Sequence, residues 1–192
     1  MAVNKRSLSK AQIQEEYVLV QAAQKNPRRF SALYEKYYEQ IYCFVYKRVD
    51  NEEISADVTS QVFLKAMTNL QKYRFQGVPF SAWLYRIAIN EVNQHFRTHK
   101  HKRTISMESS QVADMMEEVE ESYDEANIHR MLAAMQQLPP HELQMIELRF
   151  FEKMPFKEIA QIFQITENNA KVKMYRLLGK MKKLMGPRQV EA

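Results

Sequence analysis

The chain has 192 residues, 45% of them hydrophobic and 11% aromatic, enough for one medium packed domain or two small ones. Only three glycines and six prolines stand among many Leu, Met, Ala, Lys, Glu and Gln residues, which favours an all-helical chain, and strand-like alternation runs over no useful length. The net charge of +5 suits a polyanionic partner, and a single cysteine, Cys43, excludes an intramolecular disulfide and points to a reducing compartment.

The chain starts MAVNKRSLSKAQIQEE, which has no apolar core and is not expected to act as a secretory signal. Ser9–Gln24 spaces Ile13, Tyr17, Val20 and Gln24 as a helix does, until Asn26-Pro27 breaks it. A second helix is predicted over Phe30–Val49, with apolar residues at Phe30, Leu33, Tyr34, Tyr37, Ile41, Phe44, Val45 and Val49, a stripe of period 3.6. Cys43 lies in its apolar run Ile41–Val45 and is expected to be a buried structural thiol. Glu52–Tyr73 gives a third helix through Ile54, Val58, Val62, Phe63, Ala66 and Leu70. After a loop with Gly77 and Pro79, Ser81–Lys100 gives a fourth, apolar at Trp83, Leu84, Ile87, Ala88 and Val92.

Residues 105–124 are expected to form a flexible acidic linker, on which Met115, Met116 and Val119 are docking candidates. Beyond it, helices are predicted over Glu125–Gln137, His141–Phe151, Phe156–Phe163 and Glu167–Met185, with Thr166 as the N-cap of the last. Nowhere do about eighteen apolar residues run together, as a transmembrane helix requires, so the expected location is cytoplasmic. Charge divides the same way. Lys72–Arg103 has seven Lys/Arg against one acid, Glu108–Glu125 has eight acids and no Lys or Arg, and Arg149–Arg188 has ten Lys/Arg against three acids. That pattern fits two nucleic-acid-facing domains, residues 1–104 and 125–192, joined by an acidic tether.

Leu138–Met185, LPPHELQMIELRFFEKMPFKEIAQIFQITENNAKVKMYRLLGKMKKLM, reads as a helix leading into a helix-turn-helix, whose second helix enters the DNA major groove. Its apolar set (Ile159, Ala160, Phe163, Ile165, Ala170, Met174, Leu177, Leu178, Met181) leaves Asn168, Asn169, Lys171, Val172, Lys173 and Arg176 on or beside the outward face. Lys and Arg can meet phosphates or guanine edges, Asn can pair with adenine, and Val172 can meet a thymine methyl. The plain alternative is an amphipathic helix with a solvated basic face.

Upstream, Tyr73, Phe75 and Phe80 precede a helix mixing Trp83, Tyr85, Arg86, Asn90, Asn93, His95, Phe96 and Arg97. Such interleaving suits single-stranded DNA, whose unpaired bases stack on rings while cations hold phosphates. Composition alone reads most of these aromatics as core. His95 and His99 share a helical face, but no Cys/His set completes a metal site, and no nucleotide-binding or hydrolase motif occurs. Neither cofactor, metal nor enzymatic activity is expected.

The blocks FSALYEKYYEQIYCFVYKRV, ADVTSQVFLKAM and FSAWLYRIAINEVNQHFR, in this order, resemble region 2 of sigma-70-family RNA polymerase sigma factors, and the C-terminal unit resembles region 4. With a short linker and no further recognisable region, the chain resembles the extracytoplasmic-function (ECF) group. The resemblance implies a sigma factor that binds core RNA polymerase, through the β′ clamp helices and the β flap, and directs it to promoter DNA. It places Asp57, Ser60, Gln61, Phe63 and Leu64 on the β′-gripping surface. Tyr73, Phe75, Trp83, Arg86, Asn90 and Arg97 fall on the parts that capture and melt the −10 element, and Thr166–Arg176 on the −35 reader. An anti-sigma factor is a further implied partner. The sequence departs from the family at Ser60-Gln61, where Gln-Glu is usual, at Gln164, where the turn usually has glycine, and at Ala170, where a β-branched residue is usual. Gly179 interrupts the last helix at about 1 kcal/mol relative to alanine. A competing class is a dimeric repressor or activator, which would by itself footprint a two-fold-symmetric site.

Overall fold

The computed structural model describes residues 8–99, 109–119 and 124–186. Every regular element among them is helical, with no strand, and the helices gather in two compact units, one made mainly from residues up to 99 and one mainly from residues 109 onward.

In the N-terminal unit, α1 (Lys10–Lys25) opens on a capping box: Gln12 N–H donates to Ser9 Oγ at 3.2 Å, and Ser9 N–H donates to the Gln12 side chain at 2.9 Å. Asn26 ends it and caps a 3₁₀ turn, Pro27–Phe30, which runs straight into α2 (Ser31–Val49). Asp50, left-handed at φ 53°, stops α2, and Asn51 caps α3 (Glu52–Asn69), whose first-turn Glu52 and Glu53 suit the positive end of a helix. A 3₁₀ turn, Leu70–Lys72, and a loop lead to α4 (Phe80–His99). Val20, Leu33, Ile41, Phe44, Val45, Val62, Ala66, Leu84, Tyr85 and Ala88 are fully or almost fully buried where α1, α2, α3 and α4 pack together. Burying side chains of this size is the main stabilising term of such a bundle, about 1.5–3 kcal/mol each.

Cys43 is exposed, contrary to expectation. Ile41, Phe44 and Val45 turn inward, and at 100° per residue position 43 then faces outward.

The C-terminal unit contains α5 (Ser109–Glu118), α6 (Glu125–Gln136), α7 (Pro140–Ile146, continuing as a π turn over Glu147–Phe151), α8 (Phe156–Phe163) and α9 (Glu167–Met185). Helix α5 falls inside the stretch expected to be a linker. Its Val112, Met115 and Met116, with Val119 just beyond its end, are buried, and it packs against the π turn, with Asp114 pairing with Lys153 at 3.3 Å. The apolar spacing i, i+3, i+4, i+7 is that of an amphipathic helix, and the acids lie on its other side. Met131, Ala134, Met135, Ile146, Leu148, Ile159, Ala170 and Met181 complete the core of this unit.

Candidate nucleic-acid interface

Helix α8 ends in a turn at Gln164, whose φ of 56° reverses the chain, and Ile165 N–H closes the turn on Ala160 C=O at 2.9 Å. Thr166 then caps α9, its hydroxyl accepting from Asn169 N–H at 3.2 Å. Ala170, Met174, Leu177, Leu178 and Met181 are buried, so Asn168, Asn169, Lys171, Val172, Lys173 and Arg176 are all exposed, as the periodicity implied. Two of the sequence candidates have a local role as well. Thr166 is the cap, and Lys171 pairs with Glu167 at 2.9 Å, one turn back.

The unit braces this helix from behind. Lys180 pairs with Glu142 of α7 at 2.6 Å, and Arg130 of α6 donates to the terminal carbonyls of Met185 (2.8 Å) and Gly186 (2.6 Å). A guanidinium on those carbonyls satisfies acceptors that the helix cannot pair internally and complements its negative end. The sequence reading missed Tyr175, which is 67% exposed on the same outward face as Val172 and Arg176. Its signal was available, since Tyr175 falls one turn after Val172 and next to Arg176, both already placed on or beside the outward face.

In the N-terminal unit the aromatic candidates form one cluster. Ring centroids are 5.2 Å apart for Tyr73–Phe80, 5.3 Å for Tyr73–Trp83 and 5.4 Å for Phe80–Trp83. Phe80 and Tyr73 are buried, whereas Trp83 is half-buried. Burial, with the Glu16 carboxylate and Tyr17 nearby, pushes the Tyr73 phenol above its usual range. Phe75 is half-buried, stacked on Tyr17 at 4.4 Å. Arg86 is half-buried on α4, and Asn90 and Arg97 are exposed further along it, where Arg97 donates to Gln94 Oε1. Trp83, Arg86, Asn90 and Arg97 thus offer surface for a ligand, while Tyr73 and Phe80 act as the packed floor behind Trp83. The aromatics divide between packed positions, which composition favoured, and the half-buried Trp83 and Phe75.

On α3, Asp57, Ser60, Gln61 and Leu64 are exposed together. Phe63 does not share that face. It is 3% exposed and makes edge contacts with Phe30 (6.5 Å) and Tyr34 (4.8 Å), because its position on α3 turns toward α2.

Family models match both units. Residues 33–102 match Sigma-70 region 2, and residues 128–181 match Sigma-70 region 4, together more than half of the chain. The chain is 28% identical over 163 residues to the ECF RNA polymerase sigma factor BldN of Streptomyces coelicolor, a match covering 81% of this chain and 60% of that protein. It is 26% identical over 193 residues to the RNA polymerase sigma-H factor of Pseudomonas aeruginosa, covering 93% and 98%. The solved structure of CnrH in complex with the cytosolic domain of CnrY shares the fold, with a TM-score of 0.56 at 20% identity over 88% of this chain and 96% of that one. Region 2 followed by region 4, one within each helical unit, settles the kinship: the chain belongs to the sigma-70 family of RNA polymerase sigma factors, in its ECF group.

Proposed function

We propose that this chain, which as a sigma factor directs promoter-specific initiation by RNA polymerase, divides that work between its two units. The unit ending at α4 captures and melts the −10 element, with Trp83, Arg86, Asn90 and Arg97 on the DNA side. The unit ending at α9 reads the −35 element through Asn168, Asn169, Lys171, Val172, Lys173 and Arg176. Asp57, Ser60, Gln61 and Leu64 meet the clamp helices of the β′ subunit, and the C-terminal unit meets the β flap. The observation that carries this reading is the face presented by α9: one side packed and braced, the other exposing amides, cations and a valine in the first turns after a capped N-terminus.

Opening the duplex then draws on the binding energy of the polymerase, and the chain itself needs no catalytic group or cofactor. No described helix is long and apolar enough to cross a membrane, and the proposed place of work is the cytoplasm, beside the polymerase. An anti-sigma factor covering the polymerase-binding faces is the proposed regulator. CnrH, which shares the fold, was solved with the cytosolic domain of CnrY.

The test is transcription from a genomic fragment library by purified bacterial core polymerase, with and without this chain, mapping RNA 5′ ends. New starts that share two upstream elements are expected. If a closely related core yields no specific starts and no binding, and the free chain footprints a two-fold-symmetric site, the reading fails in favour of a conventional dimeric regulator.

A further inference from the structure

Phe80 begins α4, and the residue before it, Pro79, has no side-chain acceptor with which to cap the helix. The acceptor comes from α1. Glu16 Oε2 takes the Phe80 N–H at 2.6 Å, across 64 residues of sequence. Glu16 is 3% exposed, and its other oxygen accepts from the Tyr37 hydroxyl and, at 2.6 Å, from Lys36 Nζ. A carboxylate so deeply buried is tolerated only with partners of this kind, and here it also lies at the positive end of α4.

Helix α1 holds the approach to α4 at further points. Tyr17 stacks on Phe75 with the rings 16° from parallel, and Gln24 Nε2 donates to the carbonyls of Leu70 (2.9 Å) and Tyr73 (3.3 Å). Gln71 Nε2 donates back to Gln24 C=O. Glu16, Tyr17 and Gln24 therefore all bear on residues 70–80, the segment that carries Tyr73 and Phe75 up to Phe80 and Trp83. Helix α1 lies wholly before residue 33, where the match to region 2 begins.

We propose that α1 is a positioning helix for the −10 strand, with Glu16 as its central residue. Glu16 sets how α4 leaves Pro79, and so where Trp83 stands over the Tyr73–Phe80 floor, while Tyr17 and Gln24 hold the loop in the form that unpaired bases meet. A surface fixed in advance pays less ordering entropy when it binds, and each freed side chain or loop contact lowers affinity several-fold. The inference rests on the reading of this loop and α4 as the −10 site.

The experiment uses the full chain assembled with bacterial core polymerase. It measures binding of a fluorescent single-stranded oligonucleotide carrying the non-template −10 sequence of a promoter mapped as above. Glu16→Gln and Gln24→Ala are each expected to weaken this binding about ten-fold, with affinity for core polymerase and for a duplex −35 fragment unchanged. Trp83→Ala is measured in parallel. If Trp83→Ala loses the oligonucleotide while Glu16→Gln and Gln24→Ala keep it, the positioning role is wrong and the −10 reading stands. If Trp83→Ala also keeps it, the −10 reading itself fails, and the inference with it. Loss of core affinity and thermal stability in step with oligonucleotide binding would reduce Glu16 to a packing residue and overturn the proposal. Should Glu16→Gln not fold, Gln24→Ala, at a half-buried position, decides alone.

Discussion

Gln164 carries a β-carbon at φ 56°, a conformation that disfavours any residue but glycine by about 1–2 kcal/mol. The turn needs the conformation, since it lets Ile165 N–H reach back to Ala160 C=O before Thr166 starts α9. Gln164→Gly is expected to stabilise the C-terminal unit by about 0.5–1 kcal/mol, because the relief of strain exceeds the extra freedom that glycine gives the unfolded chain. Urea unfolding followed by circular dichroism would show it as a higher midpoint with unchanged slope, and an unchanged or lower midpoint would contradict it. This residue was legible in advance as a departure from a turn that usually carries glycine, and only the angle was missing. Cys43 and Phe63 were not, because an apolar run or a shared motif does not say which way each side chain turns until helix phase is fixed by its neighbours. Glu16 was invisible for a stronger reason. Its three partners lie 20, 21 and 64 residues away, and no local pattern marks an acid that caps a distant helix.

At the scale of elements, α9 is the clearest case of a sequence pattern deciding which face of a helix is packed and which is exposed. Its period of 3.6 buries Ala170, Met174, Leu177, Leu178 and Met181 and leaves Lys173 and Arg176 exposed beside Val172 and Tyr175. Replacing either cation with alanine is expected to lower affinity of the holoenzyme for a −35 fragment. The form of the loss identifies the contact. A phosphate contact would weaken binding equally across sequences and reduce the slope of log K against log salt by about 1, whereas a base contact would cost about 1–3 kcal/mol and relax preference at one position. Wild-type affinity and selectivity in both variants would remove α9 from the role. The helices on either side of the acidic stretch were readable to within a few residues, since strong apolar stripes and caps bound them. Helix α5 was not. Val112, Met115, Met116 and Val119 have helical spacing, but the eight acids of Glu108–Glu125 make the stretch read as a solvated tether. Burial against the π turn and the Asp114–Lys153 pair provide what composition could not display.

Because the described part of the expected linker, residues 109–119, is helical and packed within the C-terminal unit, the stretch 105–124 does not act as a tether over its whole length. The consequence of joining the units is thermodynamic. On the proposed reading each unit carries its own surface for polymerase and DNA, and once one has engaged, the covalent connection raises the effective concentration of the other. Neither unit then needs to bind tightly by itself, and promoter choice is expected to require both elements together. A protease site inserted between residues 100 and 108 allows the folded chain to be cut while both halves stay in equal amounts. Before cleavage the variant should match the wild type. After cleavage, promoter-directed transcription at limiting protein should fall by about 10²-fold or more, with recovery only at concentrations that approach the affinity of the weaker unit. Longer Gly/Ser insertions at the same place should erode activity gradually, roughly as the −3/2 power of tether length once it exceeds the span. If the cut protein initiates as well as the intact one at every concentration, the two units are not coupled through the tether, and one of them carries promoter recognition alone.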